Sequence, residues 1–322
     1  MDFVIGIDVG GTKILVGACD MNFNLLVSKK VPTNAHSDTK EQITQRMIAC
    51  IRDVIDETEK TYSGYTLSAI GIGAPGPVDS AKGVVIDAGN LGNWHHVPIV
   101  SILSGEFGVP SFLEKDGNTA ALGEFTLGAG RGTRNLAVVT VGTGLGCGLI
   151  LNGQIYSGRF GFAGEFGHIV ISEQKIPCVC GGYGCLEMFT CGRAMVRMMK
   201  EAIAAGKSSC LSGDFTAVDI QHAAESGDEL ALAVIREAGD YLGRGLVSLI
   251  NLLGPDKVLI GGGVSNLGNV LLDTTKSVVH DRAYTFYRDT PIERTTLGTN
   301  SGLFGAAVLA KRSLESAEVC NG

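Results

Sequence analysis

The chain has 322 residues, of which 45% are hydrophobic and 46 are glycine, and its formal net charge is −7. It is long enough for a large core and two domains, and its acidic balance, with no basic run, argues against a nucleic-acid-binding surface. Nine cysteines, an odd count, follow an N-terminus without the regions of a signal peptide, so a cytoplasmic protein with free thiols is expected and a disulfide framework is not.

The first stretch, Phe3 to Lys13, reads as a short apolar strand, Phe3 to Ile7, with Asp8 at its end. Gly10-Gly11-Thr12-Lys13 then turns the chain into a second apolar run, Ile14 to Ala18. Adjacent glycines permit positive φ, so that consecutive N–H groups converge on an anion. A turn of this kind often only reverses the chain, but a second copy occurs in the hairpin Leu136 to Leu151, with Gly142, Thr143, Gly144 and Gly146. Two such turns at strand ends suggest two halves closing on one polyphosphate. The glycines and threonines of Leu136 to Leu151 also leave it short of a membrane span.

Leu25 to Val31 completes a meander, and Thr39 to Thr61 carries Ile43, Met47, Ile51, Val54 and Ile55 at the spacing of an amphipathic helix. Ala69 to Gly73 is a buried-type strand. Gly71, Gly73 and Gly76 match G-x-G-x-x-G, but Pro75 and Pro77 forbid the helix that a dinucleotide fingerprint requires. Gly83 to Asn93 is expected to be irregular. Pro98 opens a helix through Phe107, Val109 to Glu114 is a strand, and Asn118 to Leu127 a helix. Asp116 therefore sits where a strand runs into a helix, a position that by itself suits an N-terminal cap.

After the second hairpin, helices are expected at Leu186 to Ala205, Ala217 to Glu225 and Asp228 to Leu253. Lys257 to Ile260 is a strand, followed by the turn Gly261-Gly262-Gly263, a helix near Asn269 to Val279, a strand at Ile292 to Thr295 and a helix at Ser301 to Leu314. The order of meander, helix, strand, helix, strand, helix thus begins again at Leu136. It predicts an internal duplication with its boundary between Asn118 and Arg134.

Cys178, Cys180 and Cys185 lie within eight residues in a glycine-rich loop, ten residues beyond His168. Three thiolates and one imidazole suit a closed tetrahedral Zn²⁺ site, with Cys191 as the competing fourth ligand and three unligated thiols as the alternative. Closed coordination makes such a metal structural. It would fix Glu187 near Glu165 and leave one imidazole nitrogen free to face a cleft.

Taken together, Asp8 with Gly10-Gly11-Thr12, Gly73 to Asp79, Asn90-Leu91, Asp116 to Glu124, Val141 to Gly148, Gly164 to His168, Cys178 to Glu187 and Gly261 to Val264 resemble the ROK family of sugar kinases, nearest its bacterial glucokinases. The resemblance spans about residues 3 to 310. It implies an α/β, actin-like and hexokinase-like (ribonuclease H-like) two-domain fold with a duplicated core. A small domain, 1–118, would be completed by the C-terminal helix at about 301–322, and 119–300 would form the larger, zinc-bearing domain. A homodimer or homotetramer is implied, with a hexose as substrate and neither nucleic acid nor membrane as partner.

By the same resemblance Asp116 is the catalytic base, which displaces the capping reading, and Asp8 is the carboxylate near Mg²⁺. Gly10, Gly11, Thr12, Lys13, Gly142, Thr143, Gly144 and Gly146 hold the phosphates of ATP, and Gly262 and Gly263 the adenosine. Asn90, Asp116, Glu165, His168 and Glu187 read the sugar hydroxyls. The residue before the base is usually Asn and here is Lys115. Its charge is expected to favour ionised Asp116 and to change which sugar is read, unless it points away.

Three other readings are weighed. A kinase for N-acetylmannosamine, allose or fructose is left open by Lys115. A sugar-sensing repressor would carry a helix-turn-helix before the first hairpin, for which residues 1 to 7 leave no room. A chaperone-like ATPase would need a peptide-binding domain, and nothing here resembles one.

Overall fold

In a computed structural model, described for residues 1–89, 91, 94–159, 161–263 and 268–321, the chain folds as two five-stranded sheets of the same design. The first is built from β1 (Asp2–Val9), β2 (Lys13–Asp20), β3 (Leu25–Pro32), β4 (Thr66–Ala74) and a fifth strand, Ser111–Lys115, in the order β3-β2-β1-β4 and then that strand. The meander β1 to β3 is antiparallel, whereas β4 runs parallel to β1 and the fifth strand parallel to β4. β1 and β2 are buried almost throughout because both faces are covered, while the edge strand β3 is half exposed and carries Lys29, Lys30 and Pro32.

One face is covered by α1 (Lys40–Thr61), which Thr39 and Gln42 start with a reciprocal capping box. A three-stranded sheet, β5 (Val78–Asp79), β6 (Val84–Ala88) and β7 (Trp94–Val97), stands beside it, followed by α2 (Ile99–Phe107), the strand Ser111–Lys115, now β8, and α3 (Asp116–Thr126). β6 corrects the expectation of irregular chain from Gly83 to Asn93. The β-branched run Val84-Val85-Ile86 pairs with β5 and β7, a signal that the flanking glycines and asparagines obscured. At the start of α3, Lys115 holds the cap position without a side-chain cap bond, so Asp116 is the first helical residue and not a cap.

The second sheet is β9 (Leu136–Val141), β10 (Leu145–Leu151), β11 (Gln154–Ile155), β12 (Lys257–Gly261) and β13 (Ile292–Arg294), in the order β11-β10-β9-β12-β13. Its antiparallel meander and two parallel strands repeat the first sheet. Between β11 and β12 lie α4 (Glu187–Thr190), α5 (Gly192–Ala204), α6 (Ala217–Glu225) and α7 (Glu229–Leu253), and α8 (Val270–Arg282) precedes β13. The single helix expected from Leu186 to Ala205 is broken at Cys191, whose extended backbone (φ −77°, ψ 167°) ends α4 and caps α5. The last helix, α9 (Ser301–Asn321), runs past Leu314, where its charged end gave no apolar pattern to follow.

The halves exchange their final helices. α9 packs on β1 and β4 of the first sheet through Leu303, Ala307 and Ala310, which join Val4, Leu15 and Ala69. α3 packs on the second sheet through Ala121, which joins Leu136, Val138, Ile150 and Leu259. The opposite face of each sheet carries a larger core, with Phe3, Ile5, Met47 and Ile70 in the first half and Val139, Leu246 and Ile260 in the second. Glycine permits these contacts. A Cβ at Gly71 would overlap the carbonyl oxygen of Ala306, and one at Gly305 that of Thr119.

This geometry gives a paired prediction for equilibrium urea unfolding. Gly71→Ala should destabilise the protein by about 3 kcal/mol, because the overlapping atom is backbone and has nowhere to move. Gly105→Ala, in α2 with nothing near its absent side chain, should stabilise it by about 0.5–1 kcal/mol.

Candidate active site

Parallel strands in both sheets end at one cleft. β1, β4 and β8 deliver Asp8, Gly73 and Lys115-Asp116 at their carboxyl ends, and β9, β12 and β13 deliver Gly142, Gly262 and Thr295. In open α/β sheets this is where ligands bind. The cleft, about 570 Å³, is lined by Asp8, Lys13, Lys115, Asp116, Gly142, Gly144, Gly146 and Gly262, all candidate residues from the sequence. A second cavity of about 620 Å³ meets it at Gly142 and is walled by Thr143, Arg193, Val196, Phe215, Val218 and Gly263.

Asp116 accepts the Gly117 N–H at 2.6 Å. Burial raises its pKa above the usual carboxylate range, against the lowering effects of Gly117 and of the Lys115 charge and with a raising contribution from Glu165. Lys115 does favour the ionised form of Asp116, as expected from its charge, but desolvation outweighs it and the net shift is upward. Asp8 is pushed up to about 6, first by burial and then by the charge of Asp116, with Lys13 opposing. Among the described residues the Asp8 carboxylate takes no side-chain hydrogen bond. Lys115 does not point away from the cleft. It lines the cavity and pairs with Glu165, whose other oxygen is 3.8 Å from His168 Nε2.

The first glycine turn works by space and not by positive φ. Neither Gly10 nor Gly11 has a left-handed backbone, and the turn closes through the Gly10 N–H on the Lys13 carbonyl at 2.9 Å. A Cβ at Gly10 would meet that carbonyl at 3.1 Å. Gly10, Gly11 and Thr12 form the turn itself, and of this hairpin only Asp8 and Lys13 line the cleft. The second turn is strapped to the α4–α5 junction. Gly192 donates to Gly142 at 2.9 Å, Arg193 Nε to Thr143 at 3.0 Å and Leu145 N–H to Glu187 Oε2 at 2.8 Å. Glu187 is thus committed to this turn and to Arg193 at 3.4 Å.

His168, Cys178, Cys180 and Cys185 present ligand atoms within 4.8 Å of one another, and Cys191 is not among them. Cys178 Sγ lies 3.4 Å from His168 Nδ1, and Cys180 Sγ 3.6 Å from Cys185 Sγ. A tetrahedral Zn²⁺ with ordinary bond lengths has ligand–ligand edges of roughly 3.6–3.8 Å, so the set fits that ion. The cluster leaves His168 Nε2 facing Glu165, as one free imidazole nitrogen requires. Helix α4 begins two residues after Cys185, so the loop leads directly into Glu187.

Asn90 lies outside the described residues. The sequence reading missed Thr140, Cys147, Thr295, Gly298, Thr299, Ser301 and Gly302 in the cleft and Arg193 and Phe215 to Val218 in the second cavity. Thr140 and Cys147 lie on β9 and β10, Arg193 on α5, Ala217 and Val218 on α6, Ser301 and Gly302 at the start of α9, and the others in the loops before α6 and after β13. Their signal was their place on or beside the second hairpin or after β13, and none carried a charge pattern or spacing that marks a site.

The ROK family pattern matches residues 4–313. The chain is 36% identical to the glucokinase of Halalkalibacterium halodurans, covering 98% of this chain and 97% of that one. A crystal structure of a ROK family glucokinase from Streptomyces griseus, in complex with glucose and AMPPNP, is 34% identical and superposes with a TM-score of 0.81 over 96% of this chain and 99% of that one. A ROK family transcriptional regulator, a homologue of the E. coli MLC protein, is 27% identical with a TM-score of 0.87, covering 100% of this chain and 81% of that one.

The raised Asp8 has a consequence for stability. Its native pKa exceeds its unfolded value of 3.8, so its favourable contribution is complete below about pH 3.8 and is lost as pH rises through about 6. In metal-free buffer, Asp8→Asn should raise the thermal unfolding midpoint at pH 8, and the gain should shrink below pH 6 in a calorimetric series.

Proposed function

The chain belongs to the ROK family, and from that membership we propose that it is a sugar kinase transferring the γ-phosphoryl group of ATP to the 6-hydroxyl of a hexose, glucose first. The observation that carries this reading is a half-buried, desolvated carboxylate with raised pKa, Asp116, in a cleft formed by the strand ends of both sheets. Its high pKa makes it a competent acceptor for the hydroxyl proton, and its position fixes the direction in which the oxygen can attack. The second hairpin, Gly142 to Gly146, holds phosphates with Lys13. The 620 Å³ cavity, with Phe215 and Val218, takes the base beside Gly262 and Gly263. Gly10, Gly11 and Thr12 support the phosphate end from the turn behind Lys13.

Asp8 fits a hard divalent cation, because its carboxylate faces a second one and has no hydrogen-bond partner among the described residues. Bound there, partly through water, Mg²⁺ supplies charge neutralisation for the phosphates. The Cys/His set fits a structural Zn²⁺, and His168 then presents its other nitrogen to Glu165. Asn90, Glu165, His168 and Glu187 form the sugar-reading group, with Glu187 also bound to the phosphate turn.

The lobes are taken as 1–118 with the C-terminal helix and 119–300, closing on the two substrates to exclude water. A homodimer or homotetramer is supported by the exposed Leu252, Tyr284 and Phe286. A second reading, a kinase for another hexose or an amino sugar, is favoured by Lys115, because its pairing with Glu165 occupies an oxygen that would otherwise accept from a sugar hydroxyl.

ADP release with MgATP should therefore depend on one member of a panel of glucose, mannose, N-acetylmannosamine, N-acetylglucosamine, allose and fructose. Asp116→Asn should lower kcat by about 10³-fold. No release with any sugar would contradict the kinase reading and place the chain with the family's sugar-binding regulators. Lys115→Asn should raise kcat/KM for glucose by about tenfold, as Glu165 becomes available to the sugar. Unchanged kinetics would remove Lys115 from the specificity of the pocket.

A further inference from the structure

Glu124 is completely buried, and among the described residues it makes no salt bridge. It lies eight residues beyond Asp116 on α3, a rise of about 12 Å. Its oxygens are occupied by donors from outside that helix. Oε1 accepts from Thr296 N–H at 3.1 Å, Leu297 N–H at 2.9 Å and Ser301 Oγ at 3.0 Å. Oε2 accepts from Ala129 N–H at 3.0 Å, Thr296 N–H at 3.2 Å and Thr296 Oγ1 at 3.4 Å. A carboxylate in a protein interior is costly unless such donors compensate it. An apolar side chain would serve if α3 had only to be packed. Apart from Ala129, the donors belong to residues 295–302, which lead from β13 into the first turn of α9, and Thr295, Gly298, Thr299, Ser301 and Gly302 of that stretch line the cleft.

The segment also sets the position of Asp8. A Cβ at Gly302 would stand 2.7 Å from the Asp8 carboxyl carbon, so the first turn of α9 rests against that group. We infer that Glu124 is a positioning residue for nucleotide use, which fixes residues 295–302 at the cleft so that they meet the nucleotide in one conformation. The inference rests on the kinase reading. Glu124 touches no substrate and acts through Thr296, Leu297 and Ser301. Glutamine has the same shape but only one acceptor oxygen, and its amide would confront N–H groups that also donate.

The test is calorimetric binding of MgAMPPNP and, separately, of the preferred hexose to the full-length protein, with amide hydrogen exchange over residues 295–302. Glu124→Gln should weaken MgAMPPNP binding about tenfold and Ser301→Ala about threefold, with hexose affinity within about twofold of wild type and faster exchange at Thr296 and Leu297. Nucleotide affinity within about twofold of wild type in Glu124→Gln overturns the inference. So does a parallel loss of nucleotide affinity, hexose affinity and thermal midpoint, which marks a merely structural role. If Glu124→Gln does not fold, Ser301→Ala decides, and unchanged nucleotide affinity there overturns the inference. A wild-type protein that binds no MgAMPPNP overturns the kinase reading and this inference together, an outcome separated from the others by being read in the wild type.

Discussion

Two helices cross in this protein with their backbones in contact, and the site depends on that contact. α3 and α9 close each copy of the duplicated unit, and each lies on the other copy's sheet. Their approach is set by Gly123 against the carbonyl of Ser301 and Gly305 against that of Thr119. With a side chain at either glycine the helices would stand apart. The strand ends of the two sheets would then no longer face one another. Because Asp116 begins α3 and Gly302 in α9 rests on Asp8, the same crossing fixes the distance between the two carboxylates.

Within the cleft the electrostatic balance is decided by burial. Lys13 and Lys115 are close enough to lower the two aspartates, yet both carboxylates have raised pKa values. Desolvation of the charged form, aided by the charge of Asp116 at Asp8 and of Glu165 at Asp116, outweighs the lysines. A site of this kind favours a divalent cation and a base able to take a proton. The second hairpin turn, by contrast, is held by neutral and charged hydrogen bonds from Gly192, Arg193 and Glu187. Through the loop of Cys178 to Cys185, this turn is tied to the Cys/His cluster and to His168.

Much of the fold is legible in the sequence because the chain states its pattern twice. Apolar runs ending in glycine mark β1, β4, β9 and β12, and helical spacing with a Thr39 cap marks α1. What was missed follows physical causes. β6 is five residues long and flanked by turn-forming residues. The break at Cys191 depends on its neighbours' tertiary bonds, since Gly192 donates to Gly142 and Arg193 to Thr143. Asp8, Asp116, Lys115 and the second hairpin meet as the sequence suggested, and the Cys/His ligands cluster. Spacing gave no hint that Gly10 and Gly11 would turn without positive φ, or that Glu124, outwardly one more helical glutamate, would gather the donors of a segment more than 170 residues away.

The most direct measurement is a crystal structure of the protein with glucose and MgAMPPNP bound together. The sugar's 6-hydroxyl should lie within hydrogen-bond distance of the Asp116 carboxylate and in line with the γ-phosphorus, with the phosphates along Gly142 to Gly146 and the base against Phe215. A nucleotide bound elsewhere, or a sugar whose 6-hydroxyl faces away from Asp116, would contradict the assignment of this cleft as the site of phosphoryl transfer.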